Sequence, residues 1–438
     1  MKLFVGNLAH STEEEPLQIL TQHILLVNDV GKIEFVGPLQ QLDEVKSSFN
    51  VPETNVIQLG TWEFLMPGFI DTHVHPAQYV LSGLRLDLPL LQWLEKYVIP
   101  SSGRFDDPEF AEEAFTKAVK CLLRNGTTTA CYNASYQVEA TKRLTNVVDI
   151  LGQRALIGRH NADYDPAANK REDTNQAINS TTEIIEYIQK KKNPRVYPIL
   201  YLTDATRCTA ELMSRLADIA VKMDLPITSH MSETKSQCDE LMKKIFSDSK
   251  SYASVYESCG LLTNKTVMAH CVYMNDNEIE LFKKAGTGIA HCPNSNISLV
   301  SGLLDVRKML LKGLAVGLGT DVSGGYSPSI LNSMRFALLT SKVLEIQNGG
   351  NYKALDHTEV FHLATLGGAK VLGMEHQIGN FEVGKEFDAL RINPVCKNSP
   401  FDLFDTDDLS DMVQRFIYLG DDRNIEEVYV QGAQVKPA

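Results

Sequence analysis

The sequence predicts an α/β fold: a (β/α)8 barrel of the TIM type, carrying a small β-sandwich domain formed by both ends of the chain. Three observations predict it. Eight apolar, β-prone runs alternate with helix-like stretches through the middle of the chain. The two ends share a different texture, short alternating strands joined by tight turns. Histidines and an aspartate stand where several of the eight runs stop, which is where barrel chemistry is built. The main rival is an open doubly wound sheet, which normally carries a glycine-rich phosphate loop after its first strand. This chain has His73-Val74-His75 there instead. The expected domains are residues 1–66 and 378–438 for the two parts of the sandwich, and 67–377 for the metal-dependent barrel.

In chain order, residues 23–38 (HILLVNDVGKIEFVGP) read as strand, Asn-Asp-Val-Gly turn and strand. The same texture returns in residues 381–393 and 425–435, so the termini are expected to pair. The barrel strands are expected at 69–75, 127–132, 155–160, 196–202, 226–232, 266–272, 287–293 and 315–321. Between them, residues 106–126 show an acidic first turn, apolar spacing of three and four, late basic residues and a glycine stop. Residues 174–193 and 209–224 carry similar helical patterns.

The bulk properties exclude several classes. The 438 residues are 43% hydrophobic and 22% charged, an ordinary globular composition. With 42 basic against 55 acidic residues, the net charge of −13 argues against a nucleic-acid partner. No apolar run approaches the roughly 20 residues that span a bilayer, and the N-terminus, which soon meets Glu13 to Glu15, is a poor signal peptide. Eight scattered cysteines without a CxxC pair read as reduced thiols in a cytoplasmic protein, with Cys271 and Cys292 as buried packing residues.

The chemistry begins at His73 and His75. Side chains at i and i+2 on a strand face the same side, so both imidazoles can point at one centre. His230, His270 and Asp321 stand at the ends of the fifth, sixth and eighth strands. One such residue alone is ordinarily structural; five at matching ends of four strands are not explained that way. Three imidazoles and a carboxylate suit a borderline divalent ion such as zinc, which lowers the pKa of a bound water to about 7. Glu233, three residues after His230, can reach the same pocket and pass a proton to substrate, or simply favour the next helix N-terminus. No lysine lies in the fourth strand to bridge a second metal, so one ion per subunit is expected. HExxH and PCxxC zinc designs are absent.

These stretches are similar to known ones. MPGFIDTHVH, SHMSE, VMAH, IAHCPNSN and GLGTD resemble the amidohydrolase superfamily. HVHPAQY, LDLPLLQWLEKYVIP, NGTTTACY, LLTNKTVMAH, GLGTDVSGGYS and IGNFEVGKEFDA resemble its guanine deaminase family, and the likeness covers nearly the whole chain. The resemblance implies zinc-dependent hydrolysis of guanine to xanthine and ammonia by a homodimer acting in purine metabolism. By position, it gives His73, His75, His230 and Asp321 as zinc ligands, with His270 on or beside the metal's water. Glu233 would protonate the ring nitrogen beside the attacked carbon, Asp321 would take the water's proton, and Gln78 would hydrogen-bond the purine. Trp93 is read as a pocket wall or equally as an apolar helix position.

Two stretches depart from the family. Guanine deaminases end the fourth strand in proline-arginine-phenylalanine; aligned on Pro198 and Cys208, this chain places Thr203 and Asp204 at the Arg and Phe positions. That removes a charge-assisted donor of roughly 1.5–3 kcal/mol and stacking surface of about 1–3 kcal/mol. Arg207 is displaced by four residues from the family's position. On the third strand, Asn161, Ala162 and Asp163 replace a Cys-Met-Asp segment, preceded by His160. Thr203, Asp204 and Asn161 are therefore expected to contact substrate, a purine or a purine-like ring. A pterin or another aminated heterocycle is the alternative substrate. A non-catalytic binding protein on the same fold and a related chlorohydrolase are the alternative functions.

Overall fold

The structure is a computed structural model that describes residues 1–164 and 172–436. The eight barrel strands are β1 (Phe69–Val74), β2 (Thr127–Asn133), β3 (Arg154–Gly158, continued by His160–Asn161), β4 (Val196–Pro198, continued by Leu200–Asp204), β5 (Ile227–Met231), β6 (Thr266–His270), β7 (Gly288–His291) and β8 (Val316–Leu318). Each position lies within or overlaps a run expected from the sequence. All pair in parallel with their sequence neighbours. The ladder is interrupted at Arg159 and Ile199, and the Ile199 N–H donates to the Ile157 carbonyl at 3.2 Å across that break. The ring closes between β8 and β1. There the Thr72 hydroxyl donates to the Leu318 carbonyl (2.9 Å) and the Asp321 N–H to the His73 carbonyl (2.9 Å).

Both faces of these strands are covered, so they read as continuous apolar or small-residue runs rather than alternating ones. The helices form the outer layer. α1 (Pro108–Arg124) starts where the Asp107 carboxylate accepts the Glu109 N–H and a proline occupies the first turn; it stops at Asn125-Gly126, with Gly126 at φ +83°. α3 (Thr174–Lys190) starts on a reciprocal Asp173–Gln176 capping box and α4 (Ala210–Met223) on Thr209, whose hydroxyl accepts the Leu212 N–H, whereas α2 (Val138–Leu151) has no side-chain cap at its start and ends on Gly152 at φ +77°.

The two ends of the chain make one sheet. Strands Lys2–His10, Gln18–Val27, Ile33–Pro38 and Phe64–Pro67 join Ala389–Ile392, Ile425–Val430 and Ala433–Gln434 in one path of an eight-stranded sheet, with Val56–Gln58 off the path, paired to Lys2–His10. The path folds over on itself. Phe4 and Tyr429 lie on strands separated by two others, which a flat sheet would hold about 14 Å apart; their rings are 5.5 Å apart, around a core that includes Leu25, Leu65 and Phe387. The hairpin at Gln431-Gly432 has both turn residues at positive φ, the conformation that matches strand twist.

A buried ion cluster fastens this sheet to the barrel. Arg154 at the start of β3 is fully buried and pairs with both oxygens of Asp388 (2.9 and 3.0 Å) and with Glu386 (2.6 Å). The attraction of the two carboxylates outweighs the desolvation that opposes it, and the guanidinium stays charged. Removing one member strands the other charges without water. Arg154→Met is therefore expected to cost about 3–5 kcal/mol of stability, read as a lower denaturant midpoint with the barrel ligands unchanged. A midpoint equal to wild type would show that the cluster does not fasten the two parts.

Candidate active site

The strand ends surround a cavity of about 1100 Å³, lined by residues on or just after every barrel strand but β7, and most of the residues expected from the sequence meet at its floor. His73 is the last inward-facing residue of β1, and His75 follows directly after the strand. His230 sits on β5, paired in register between Asp204 of β4 and Ala269 of β6. The Nε2 atoms of His73, His75 and His230 form a triangle with all three edges at 3.1 Å. Asp321 Oδ1 lies 3.3 Å from His73 Nε2 and 3.2 Å from His75 Nε2. All four donor atoms fall within 4.8 Å of one another.

The surroundings decide which ring nitrogen faces the centre. His230 Nδ1 donates to the Thr203 carbonyl at 2.6 Å, and the Asn133 side-chain amide meets His73 Nδ1 at 2.9 Å. The hydrogen held on the outer nitrogen of His230 leaves its Nε2 lone pair pointing inward, while the Asn133 amide nitrogen donates to the outer nitrogen of His73 and fixes the orientation of that ring. Burial pushes His73 down to about 4, against the pull of Asp321, and drives His75 well below its ordinary value. Burial also tends to raise Asp321, but the hydrogen bond from His73 and the surrounding imidazoles outweigh it and hold the carboxylate far below its ordinary range. Three imidazole Nε2 atoms held 3.1 Å from one another beside an ionised carboxylate crowd electron-rich atoms together unless a cation lies among them. The donor set therefore fits a metal ion, and one with nitrogen-oxygen preference.

Two further groups face the same centre. His270 ends β6 in the left-handed region at φ +71°, and Cys271 follows at +53°. Such backbone costs about 1–3 kcal/mol per residue and persists only where its surroundings hold it. Here the His270 Nδ1–H donates to Asn296 Oδ1 (2.8 Å) and the Cys271 N–H to the Met231 carbonyl (2.9 Å). His270 Nε2 thus stays a base, 3.8 Å from both Glu233 Oε2 and Asp321 Oδ2. Glu233 follows Ser232, itself at φ +49°, and is buried with the Ser301 hydroxyl 3.4 Å from its Oε1. Burial raises Glu233 to about 8; the nearby His230 pulls it down while Asp321 and Asp204 push it further up.

The cavity wall brings together most, but not all, of the expected substrate contacts. Gln78 and Trp93 line it. Gln78 does so from the tight turn after His75, whose carbonyl accepts the Gln78 N–H at 3.0 Å. Thr203 lines it too, but its hydroxyl is committed to His160 Nε2 (2.5 Å) and the Asn161 carbonyl (3.1 Å), and its own carbonyl orients His230. Asp204 faces the cavity because the β4 ladder slips register between Tyr201 and Asp204, which re-aims its side chain. Asn161 corrects the sequence-based expectation. Its amide donates to the Arg159 and Tyr201 carbonyls (both 2.9 Å), and its Oδ1 accepts from the Thr181 hydroxyl of α3 (2.7 Å). It is a fully buried brace between β3, β4 and α3; Ala162, one residue on, lines the cavity instead.

Four residues of the site were not singled out from the sequence. Asn133 and Asn296 orient His73 and His270, and Tyr201 lines the wall with its ring 6.1 Å from those of His75 and His230. Asp71 accepts from the Thr320 N–H (3.0 Å) and hydroxyl (2.5 Å) and from the His73 N–H (3.2 Å); burial nevertheless pushes it up to about 7. Asp71 was legible, since Asp71, His73 and His75 alternate along one strand face. The two asparagines carried no such signal.

The amidohydrolase family profile matches residues 64–435. The chain belongs to the amidohydrolase family. Within it, the chain is similar over nearly its whole length to guanine deaminases. It is 45% identical to the mouse protein of that name, covering 99% of this chain and 96% of the mouse one. It is 43% identical to that of Dictyostelium discoideum, covering 100% and 98%. Among solved structures, guanine deaminase from C. acetobutylicum with bound guanine superimposes with a TM-score of 0.90 at 33% identity, covering 99% of both chains.

Proposed function

We propose that the protein is a metal-dependent aminohydrolase that converts guanine and water to xanthine and ammonia. The observation that carries this reading is the convergence of His73, His75, His230 and Asp321 on one point, with Glu233 and His270 facing it. The near full-length similarity to guanine deaminases supports the substrate. We assign one zinc ion per subunit to the four ligands. When bound, it supplies Lewis acidity that brings a water's pKa to about 7.

The chain's own groups carry the protons. Glu233, held protonated near neutrality by its burial, gives a proton to the ring nitrogen beside the amino-bearing carbon and so makes that carbon electrophilic. Asp321 Oδ2 and His270 Nε2, 3.8 Å apart, flank the place where the attacking water must sit and take its proton. The same proton then reaches the amino group, which leaves as ammonia as the C–N bond breaks, and the new hydroxyl returns its proton to Glu233 as it becomes the xanthine carbonyl. Gln78 and the Trp93 ring position the heterocycle against the cavity wall. Asn133, Asn296 and the Thr203 carbonyl act through the imidazoles they orient. The enzyme works on a small-molecule purine as a cytoplasmic homodimer; no helix among the described residues is long and apolar enough to cross a membrane.

A second substrate class, pterins or other aminated heterocycles, draws support from Asp204 and Ala162 in the cavity wall. A purely binding role does not explain why ligands, base and acid are all in place. Zinc-loaded protein is expected to release ammonium and xanthine from guanine, in a panel that also includes pterins and aminotriazines. Release of chloride from a chlorinated triazine without ammonium from any amino-ring would replace this reading with halide hydrolysis; turnover of none would end the catalytic one.

A further inference from the structure

Asp204 is 7% exposed and lines the cavity one strand away from His230, its register partner. One oxygen, Oδ1, is occupied by the N–H and the hydroxyl of Thr206. Among the described residues, Oδ2 has no hydrogen-bond partner. A carboxylate oxygen kept from bulk water and left open toward a cavity asks for a donor from whatever fills that cavity. Among the described residues the neighbourhood adds none. The Thr203 hydroxyl is turned to His160 and Asn161, and the Arg207 backbone is tied into the turn through its N–H to the Asp204 carbonyl (3.1 Å) and its carbonyl to the Tyr164 N–H (3.1 Å).

We infer that Asp204 selects the substrate by accepting an N–H from the ring edge that faces β4, so that amino- or N–H-bearing edges are favoured over carbonyl edges. The inference rests on the deaminase reading and narrows its substrate class. A carbonyl turned to Asp204 sets acceptor against acceptor in a site shielded from water. An amino group at the same place makes a charge-assisted hydrogen bond. Tyr201 and Ala162 shape the same wall, the first as a flat apolar face and the second as space beside it.

The test compares guanine with 2,6-diaminopurine, which carries an amino group in place of the ring carbonyl and a bare ring nitrogen in place of the adjacent N–H, on zinc-loaded wild type and Asp204→Asn. The asparagine keeps an acceptor for the Thr206 N–H, so the turn is retained, but it removes the charge and can offer a donor. The ratio of kcat/KM for diaminopurine over guanine is expected to fall about tenfold or more in Asp204→Asn. Calorimetric Kd values for the two rings should move in the same direction. An unchanged ratio, or equal losses on both rings, overturns the inference and makes Asp204 only a brace of the turn. Should neither ring release ammonia from wild type, the deaminase reading falls, and the Kd ratio still decides whether Asp204 discriminates; absence of binding by both rings overturns both. Asp204→Ser serves the same comparison if the asparagine variant does not fold.

Discussion

Replacing His230 with alanine is expected to lower ammonia release by more than about a thousandfold, together with loss of the bound metal. The reason lies in the triangle of nitrogens. Each Nε2 is 3.1 Å from the other two, so deleting one corner leaves a two-nitrogen, one-carboxylate set with an open side. The adjacent Thr203 carbonyl does not replace the missing donor, because it faces the outer edge of the ring rather than the centre. Zinc content by emission spectroscopy and turnover should fall together, and added zinc should restore stripped wild type but not the variant. A fully metallated, fully active His230→Ala protein would remove the metal from the account altogether.

Glu233→Gln is expected to separate metal binding from chemistry. Its carboxyl lies beside His270 but outside the four-ligand set, so zinc content should match wild type. Turnover should drop by about 10²–10⁴-fold, the usual contribution of a positioned proton donor. The pH profile gives a second reading. Burial raises Glu233 to about 8, so the donor form dominates at neutral pH and is lost as pH rises through that value. Wild-type activity should therefore fall along an alkaline limb near 8, and the residual activity of the glutamine variant, which has no proton to lose, should lack that limb. The same limb in both proteins would assign it to another group and take the donor role away from Glu233.

The metal site was readable because it obeys short rules. Alternation along β1 puts His73 and His75 on one side, and barrel geometry brings the ends of β5, β6 and β8 to the same rim, so four distant motifs could be placed together before any coordinates. The wall of the cavity was harder. Asn161 sits at a strand end as expected, yet its polar atoms are consumed by Arg159, Tyr201 and Thr181. Position on a strand gives a face; whether a side chain on that face is free depends on partners from other parts of the chain. Thr203 illustrates the same point in reverse: its side chain was singled out, and its main-chain carbonyl orients a ligand.

By itself, the sequence determined the eight-strand alternation, the pairing texture of the two ends and the four side chains that the fold gathers into one candidate metal-binding group, since these follow from local periodicity and residue chemistry. Only the tertiary structure decided which imidazole nitrogen faces inward, how far Glu233 is lifted by burial, and that a slipped register turns Asp204 into the cavity. Those features are set by hydrogen bonds and desolvation between segments tens to hundreds of residues apart, such as Asn133 with His73 and Asn296 with His270, and no local pattern encodes them.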